Sequence, residues 1–234
     1  MDELEDWGEG SMESCLFIHG FTGGEYEISP LAQFLERSGY VSRMFTLHGH
    51  GGSRRELLHS SRGDWQLSAE EELKQLFSSS EKVHLIGFST GALIASRLSV
   101  QNSSRIQSLT LLSTPVYPLS PPEILRTLVR PEMLRNYLSK WGSTPMKATR
   151  EFQRLVRESF EVYPQLEVPT LIVQGRRDHL VRFKSADYLR QTIPSERTQV
   201  LIMEQSGHMV CHSGESPAMM DEVLRFIRRS GESG

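Results

Sequence analysis

Short apolar runs alternate with longer stretches of helical period along most of the chain. Residues 15–19 (CLFIH) form an apolar run ending in glycines, which predicts a buried strand. Leu31, Phe34 and Leu35 then share one helix face, predicting a helix over 28–38 with Pro30 in its first turn. A strand is expected over 40–47. A helix is expected to run from a cap at Asp64 to about residue 78, with Glu70, Glu71 and Glu72 on its wet side. Strands at 83–86, 108–112, 168–173 and 199–203 and helices at 90–100, 182–191 and 216–229 continue the alternation. Strand–helix order of this kind predicts an α/β fold: a mostly parallel sheet of about six or seven strands with helices on both faces.

Residues 115–164 break the rhythm. Pro115, Pro118, Pro121, Pro122 and Pro131 interrupt the segment, and no strand signal appears. Short amphipathic faces lie between: Leu125, Leu128 and Val129; Met133, Leu134, Tyr137, Leu138 and Trp141; and Phe152, Leu155, Val156 and Phe160. A small helical cap over 115–165, inserted after the strand at 108–112, is the expected organisation. The core is then 1–114 and 166–234, with 1–13 a flexible acidic tail. The alternative is ordinary helices packed on the sheet edge.

Composition narrows the function classes. A net charge of −3 with scattered basic residues argues against nucleic acid. The two cysteines, Cys15 and Cys211, do not make a disulfide scaffold and fit a reducing cytoplasm. No apolar run approaches the roughly 20 residues of a membrane span, and the acidic N-terminus lacks the features of a signal peptide. A protein with no stable membrane insertion, a monomer or weak homodimer, is expected. No Cys/His cluster has zinc spacing, so no metal is expected.

The chemistry centres on VHLIGFSTGALIA, residues 83–95, in which Ser89 sits between Gly87 and Gly91. A G-x-S-x-G string alone is weak, but a strand precedes this one and a helix follows. A sharp strand-to-helix turn strains the serine backbone and lifts its hydroxyl clear of the sheet. The flanking glycines let strand and helix approach. Such a serine needs a base, and an acid to orient the base. His208, between the last strand and the last helix, is the expected base, with His212 in reserve; His179 adjoins the acid and is a poor candidate. Asp178, in the loop after LIVQG, is the expected acid, whereas Asp187 reads as helical and faces away. The amides of Phe21 and Thr90 are placed to hold an oxyanion, each donor contributing about 3 kcal/mol in the transition state. His19 reads as a brace for the glycine-rich loop, His48 and His50 as part of a tight turn at the pocket rim, His84 as a sheet histidine and Cys211 as inert.

With these residues in view, the chain resembles the α/β-hydrolases, and within them the bacterial carboxylesterases and monoacylglycerol lipases with a small helical cap. FIHGFTGG, LHGHGG followed by Asp64-Trp65, GFSTG, PTLIVQGRRDHLV and QSGHMV carry the likeness from about residue 15 to 229. The resemblance implies Ser89 as nucleophile, His208 as base, Asp178 as acid, Phe21 and Thr90 as oxyanion donors, and no cofactor. Ala92 departs from it, standing where relatives often have a second glycine; the chain also begins at what is usually the third strand of the fold. The expected substrate is a small ester of a short- to medium-chain acyl group, or a monoacylglycerol, lying against Leu125, Leu128, Met133, Tyr137 and Trp141. A thioesterase or acyltransferase with the same triad, or a non-catalytic ligand binder, are the rival readings.

Overall fold

The structure, a computed structural model, describes residues 13–117 and 144–231. Its strands are β1 (Ser14–Ile18), β2 (Val41–Met44), β3 (Val83–Phe88), β4 (Ile106–Leu112), β5 (Thr170–Gly175) and β6 (Thr198–Met203). All pair in parallel in one sheet of order β2-β1-β3-β4-β5-β6. The helices are α1 (Ser29–Arg37), α2 (Arg54–His59), α3 (Arg62–Leu76), α4 (Thr90–Gln101), α5 (Met146–Val162), α6 (Lys184–Thr192) and α7 (Ser216–Gly231).

Strand alternation sorts the core into two layers. Leu16, Ile18, Val83, Leu85, Leu109, Leu111 and Ile172 point to one face, where α3, α4, α5 and α6 cover them. Cys15, Phe17, Ile86, Phe88, Leu112, Leu171 and Val173 point to the other, under α1 and α7. The chain order reverses beside β1 and β3. In such sheets the crevice for ligands opens there, at the strands' C-terminal ends.

Several local details differ from the sequence expectation. Strand β2 stops at Met44 instead of reaching residue 47. Phe45 and Leu47 leave the ladder and bury in the core. Helix α3 starts earlier than expected, because Ser61 is its cap and Asp64 stands three positions in. Each side chain accepts from the other residue's backbone N–H, a reciprocal capping box. Helix α2 has only six residues, too short for a periodic signal.

Of the apolar faces expected over 115–164, the third is on α5. Leu155 and Val156 bury in the same apolar cluster as Trp65 and Leu93, with Phe152 and Phe160 against it. Buried Glu151 of α5 accepts from Arg62 at 2.7 Å and from Arg154 at 2.7 Å. Burial alone would raise the Glu151 carboxyl; the Arg62 hydrogen bonds overcome it and hold the group below its usual range. The first two faces fall within 118–143. The expected substrate contacts Leu125, Leu128, Met133, Tyr137 and Trp141 therefore lie outside the described residues.

Candidate active site

The turn between β3 and α4 holds Ser89 at φ 52°, ψ −115°, a conformation that costs an L-residue on the order of 1–3 kcal/mol. The surrounding structure enforces it. Ser89 N–H donates to Leu112 O of the neighbouring strand at 2.8 Å, and its carbonyl accepts from Ala92 N–H at 3.0 Å. The two glycines are demanded by contact with backbone. A Cβ on Gly87 would lie 2.5 Å from Ala92 Cα, and one on Gly91 would lie 2.0 Å from Ile18 O. Helix α4 thus sits directly against the end of β1, the strand that leads into the glycine-rich loop.

Asp178 and His208 come together as expected. Asp178 Oδ1 accepts the N–H groups of Leu180 (2.8 Å) and Val181 (2.9 Å). Its Oδ2 receives Gln174 Nε2 at 3.2 Å and meets His208 Nδ1 at 2.8 Å. With that carboxylate as acceptor, the imidazole carries its proton on Nδ1 and leaves Nε2 as the free base. The loops that bear the pair are joined by backbone bonds from Arg176 N–H to Met203 O and Arg177 N–H to Ser206 O, both 2.9 Å. His208 O accepts from Ser113 Oγ at 2.8 Å, and its ring lies over Phe88, centroids 5.0 Å apart. The imidazole therefore stands beside the residue that precedes Ser89. Among the described residues no hydrogen bond joins the Ser89 hydroxyl to that ring.

His212, the reserve base, turns to the carbonyl of Tyr26 at 2.8 Å. Asp187 is exposed on α6. Cys211 is buried, and burial pushes its thiol up to about 12, where it is not nucleophilic at neutral pH.

Thr90 opens α4 directly after Ser89 and Phe21 lies in the loop after β1; among the described residues neither amide is hydrogen-bonded. The Phe21 ring stacks on Phe152 of α5 (5.2 Å) and leans on Trp65 (5.6 Å). His19 braces the loop. Its Nε2 accepts the Leu47 N–H at 3.0 Å, so the proton is on Nδ1, which donates to Gly20 O at 2.8 Å. Burial depresses its pKa to about 4 and keeps it neutral. The Gly49 and Gly51 turn, both at φ 74°, borders a cavity of about 210 Å³ shared with Thr22, His50, Arg54 and Thr144.

Gln174, Ser113 and Glu215 escape sequence reasoning. Glu215 accepts from Gln205 N–H (2.9 Å) and Ser206 Oγ (2.5 Å), closing the loop that carries His208. None has a motif; the only hint is that Gln174 and Ser113 stand at strand ends beside the expected crevice.

Among the described residues no cluster of three or more His, Cys, Asp or Glu side chains is arranged to hold a metal, and no helix is long and apolar enough to cross a membrane.

Comparison with known proteins agrees with the architecture. A carboxylesterase of Bacillus subtilis (strain 168) is 23% identical, the match covering 94% of both chains. A thermostable monoacylglycerol lipase of Bacillus sp. (strain H-257) is 23% identical over 95% of this chain and 93% of its own. Among solved structures, one from the metagenome-derived lipolytic enzymes LipS and LipT superposes with a TM-score of 0.82 at 21% identity, covering 94% of this chain and 95% of the other. An esterase of Pyrococcus furiosus gives 0.74 at 20% identity, with coverage of 94% and 82%. The model of the alpha/beta hydrolase family matches residues 15–223, a span that takes in all of the sheet but Ser14 and the serine turn with it. By that match, the chain belongs to the alpha/beta hydrolase family.

Proposed function

We propose that the protein is a serine hydrolase of carboxylic esters, acting on short- to medium-chain acyl esters or monoacylglycerols. The observation that carries this reading is the Asp178–His208 pair, 2.8 Å apart, standing beside a serine in strained backbone. The names of the Bacillus relatives, a carboxylesterase and a monoacylglycerol lipase, support the same substrate class.

In this mechanism Ser89 Oγ attacks the ester carbonyl as His208 Nε2 takes its proton. Charge develops on the carbonyl oxygen and is met by the Phe21 and Thr90 amides, aided by the positive end of α4. Asp178 stabilises the imidazolium. The intermediate collapses, the C–O bond to the alcohol breaks, and His208 returns the proton to the departing alcohol. Water then attacks the acyl-enzyme by the same route, releasing the acid and restoring Ser89. Catalytic hydrogen bonds are often long in unliganded enzymes, and the Ser89–His208 contact is expected to form when substrate fills the crevice. The acyl chain is assigned to the segment 115–165, which the sequence is expected to fold as a cap.

Fluorophosphonate labelling and a p-nitrophenyl ester series from acetate to palmitate test the proposal. Labelling at Ser89, a rate maximum at short or medium chains, and a loss of at least about 10⁴-fold in Ser89→Ala are expected. An unlabelled wild-type protein with negligible rates throughout would favour a binder. Turnover of acyl-CoA in preference to every oxygen ester would instead point to a thioesterase.

A further inference from the structure

Glu27 is a buried carboxylate that the mechanism does not use. It ends the short 3₁₀ turn Glu25–Glu27 and is 6% exposed. Its Oε2 accepts the Gly20 N–H at 2.8 Å, a charge-assisted bond inside the loop that carries Phe21. The loop is wrapped around this carboxylate. A Cβ on Gly23 would lie 2.1 Å from Oε2, and one on Gly20 would lie 3.0 Å from it. Two of the loop's three glycines, Gly20 and Gly23, thus leave room for the same side chain.

The next peptide, Gly20–Phe21, is trans, so its C=O and N–H point in opposite directions. Two donors grip that carbonyl: His19 Nδ1 at 2.8 Å and Gly23 N–H at 3.2 Å. Holding the carbonyl aims the Phe21 N–H the other way. Glu27 holds the peptide before it and fills the interior of the turn, so the peptide plane cannot rotate. Thr22 follows at φ 57°, a left-handed conformation that the same turn holds in place. The carbonyl of Tyr26 accepts from His212, linking this turn to the loop of His208.

We propose that Glu27 is a positioning residue of the oxyanion hole, aiming the Phe21 N–H through its bond to Gly20. The inference rests on the serine hydrolase reading above. Loss of the carboxylate weakens stabilisation of the tetrahedral intermediate and leaves ground-state binding alone, so kcat falls and KM does not.

The test uses the full chain with p-nitrophenyl butyrate as substrate and a phenylboronic acid as tetrahedral mimic. Complete removal of an oxyanion donor costs about 10²–10³ in kcat, so a misaimed donor in Glu27→Ala is expected to lower kcat by about 10–100-fold with KM within about threefold. Boronate affinity should fall in parallel with kcat/KM. Glu27→Gln keeps an acceptor for Gly20 and should restore kcat to within about fivefold of wild type. Should Glu27→Ala fail to fold, Glu27→Asp, one methylene short of Gly20, should lie between the two. Wild-type kcat in Glu27→Ala or Glu27→Asp overturns the proposal, as does a loss of kcat that leaves boronate affinity unchanged. The wild type and Ser89→Ala, run alongside, separate the two claims. An inactive wild type defeats the hydrolase reading and the proposal with it; an active, Ser89-dependent wild type leaves the Glu27 variants to report on Glu27 alone.

Discussion

Two glycines stand at the same helical position, the second residue of a helix, in opposite surroundings. Gly63 is the second residue of α3, and Gly91 the second of α4. Helix propensity favours alanine over glycine by up to about 1 kcal/mol at either site. A Cβ at position 63 meets only Ser61 Oγ at 3.6 Å, an ordinary contact. At position 91 it meets Ile18 O at 2.0 Å, Ile18 C at 2.5 Å and His19 O at 2.7 Å, all backbone. Relief requires α4 to move off β1 by roughly 1 Å or more, because van der Waals contact between such atoms begins near 3.5 Å. Overpacking of this kind costs about 1–3 kcal/mol or more, opposite in sign to the propensity gain. Gly63→Ala should therefore stabilise by up to about 1 kcal/mol, and Gly91→Ala should destabilise, by about 2 kcal/mol when the upper end of the overpacking range is set against the propensity gain. The same displacement carries Thr90 N–H away from the Phe21 loop, and a misplacement of about 1 Å costs on the order of 10² in rate. Urea denaturation read by circular dichroism, with kcat on p-nitrophenyl butyrate, measures both effects. A Gly91→Ala protein with the midpoint and kcat of wild type would refute the reasoning, since the Cβ would then have found space denied to it here.

Asp178→Asn should lower kcat by about 10⁴-fold while the protein stays folded. Leu180 and Val181 N–H require an oxygen at Oδ1, so the asparagine NH₂ must face His208 Nδ1 and force its proton onto Nε2; a kcat within tenfold of wild type would contradict this. Acid should destabilise the fold before its carboxylates titrate. Burial depresses His19 and His50 from 6.5 to about 4, so between those values the unfolded chain binds more protons and stability drops as pH falls, by about 3 kcal/mol at pH 4 for one such histidine. The two rings lie 5.4 Å apart and the drops need not add. Equal urea midpoints at pH 7 and pH 5 would rule this out.

The sequence alone determined the order and type of most elements, because each depends on local periodicity. The short apolar runs of β1, β3 and β5 need no partner to be read, nor does the face of α1 carrying Leu31 and Leu35. It also determined the serine turn, since two glycines around one serine between a strand and a helix leave few other backbone paths. Tertiary structure decided what depends on distant residues meeting. Gln174 and His208 both reach Asp178, Ser113 reaches His208 across 95 positions, and Arg62 of α3 pairs with Glu151 of α5 across 89. Helix α2 is too short for a periodic signal, and β2 ends early because Phe45 and Leu47 turn into the core; the Ser61 cap, by contrast, is a local box with Asp64 and stands in the sequence itself. A hydrogen bond needs its partners within about 3 Å, and chain spacing carries no information about that distance once the segments between are packed.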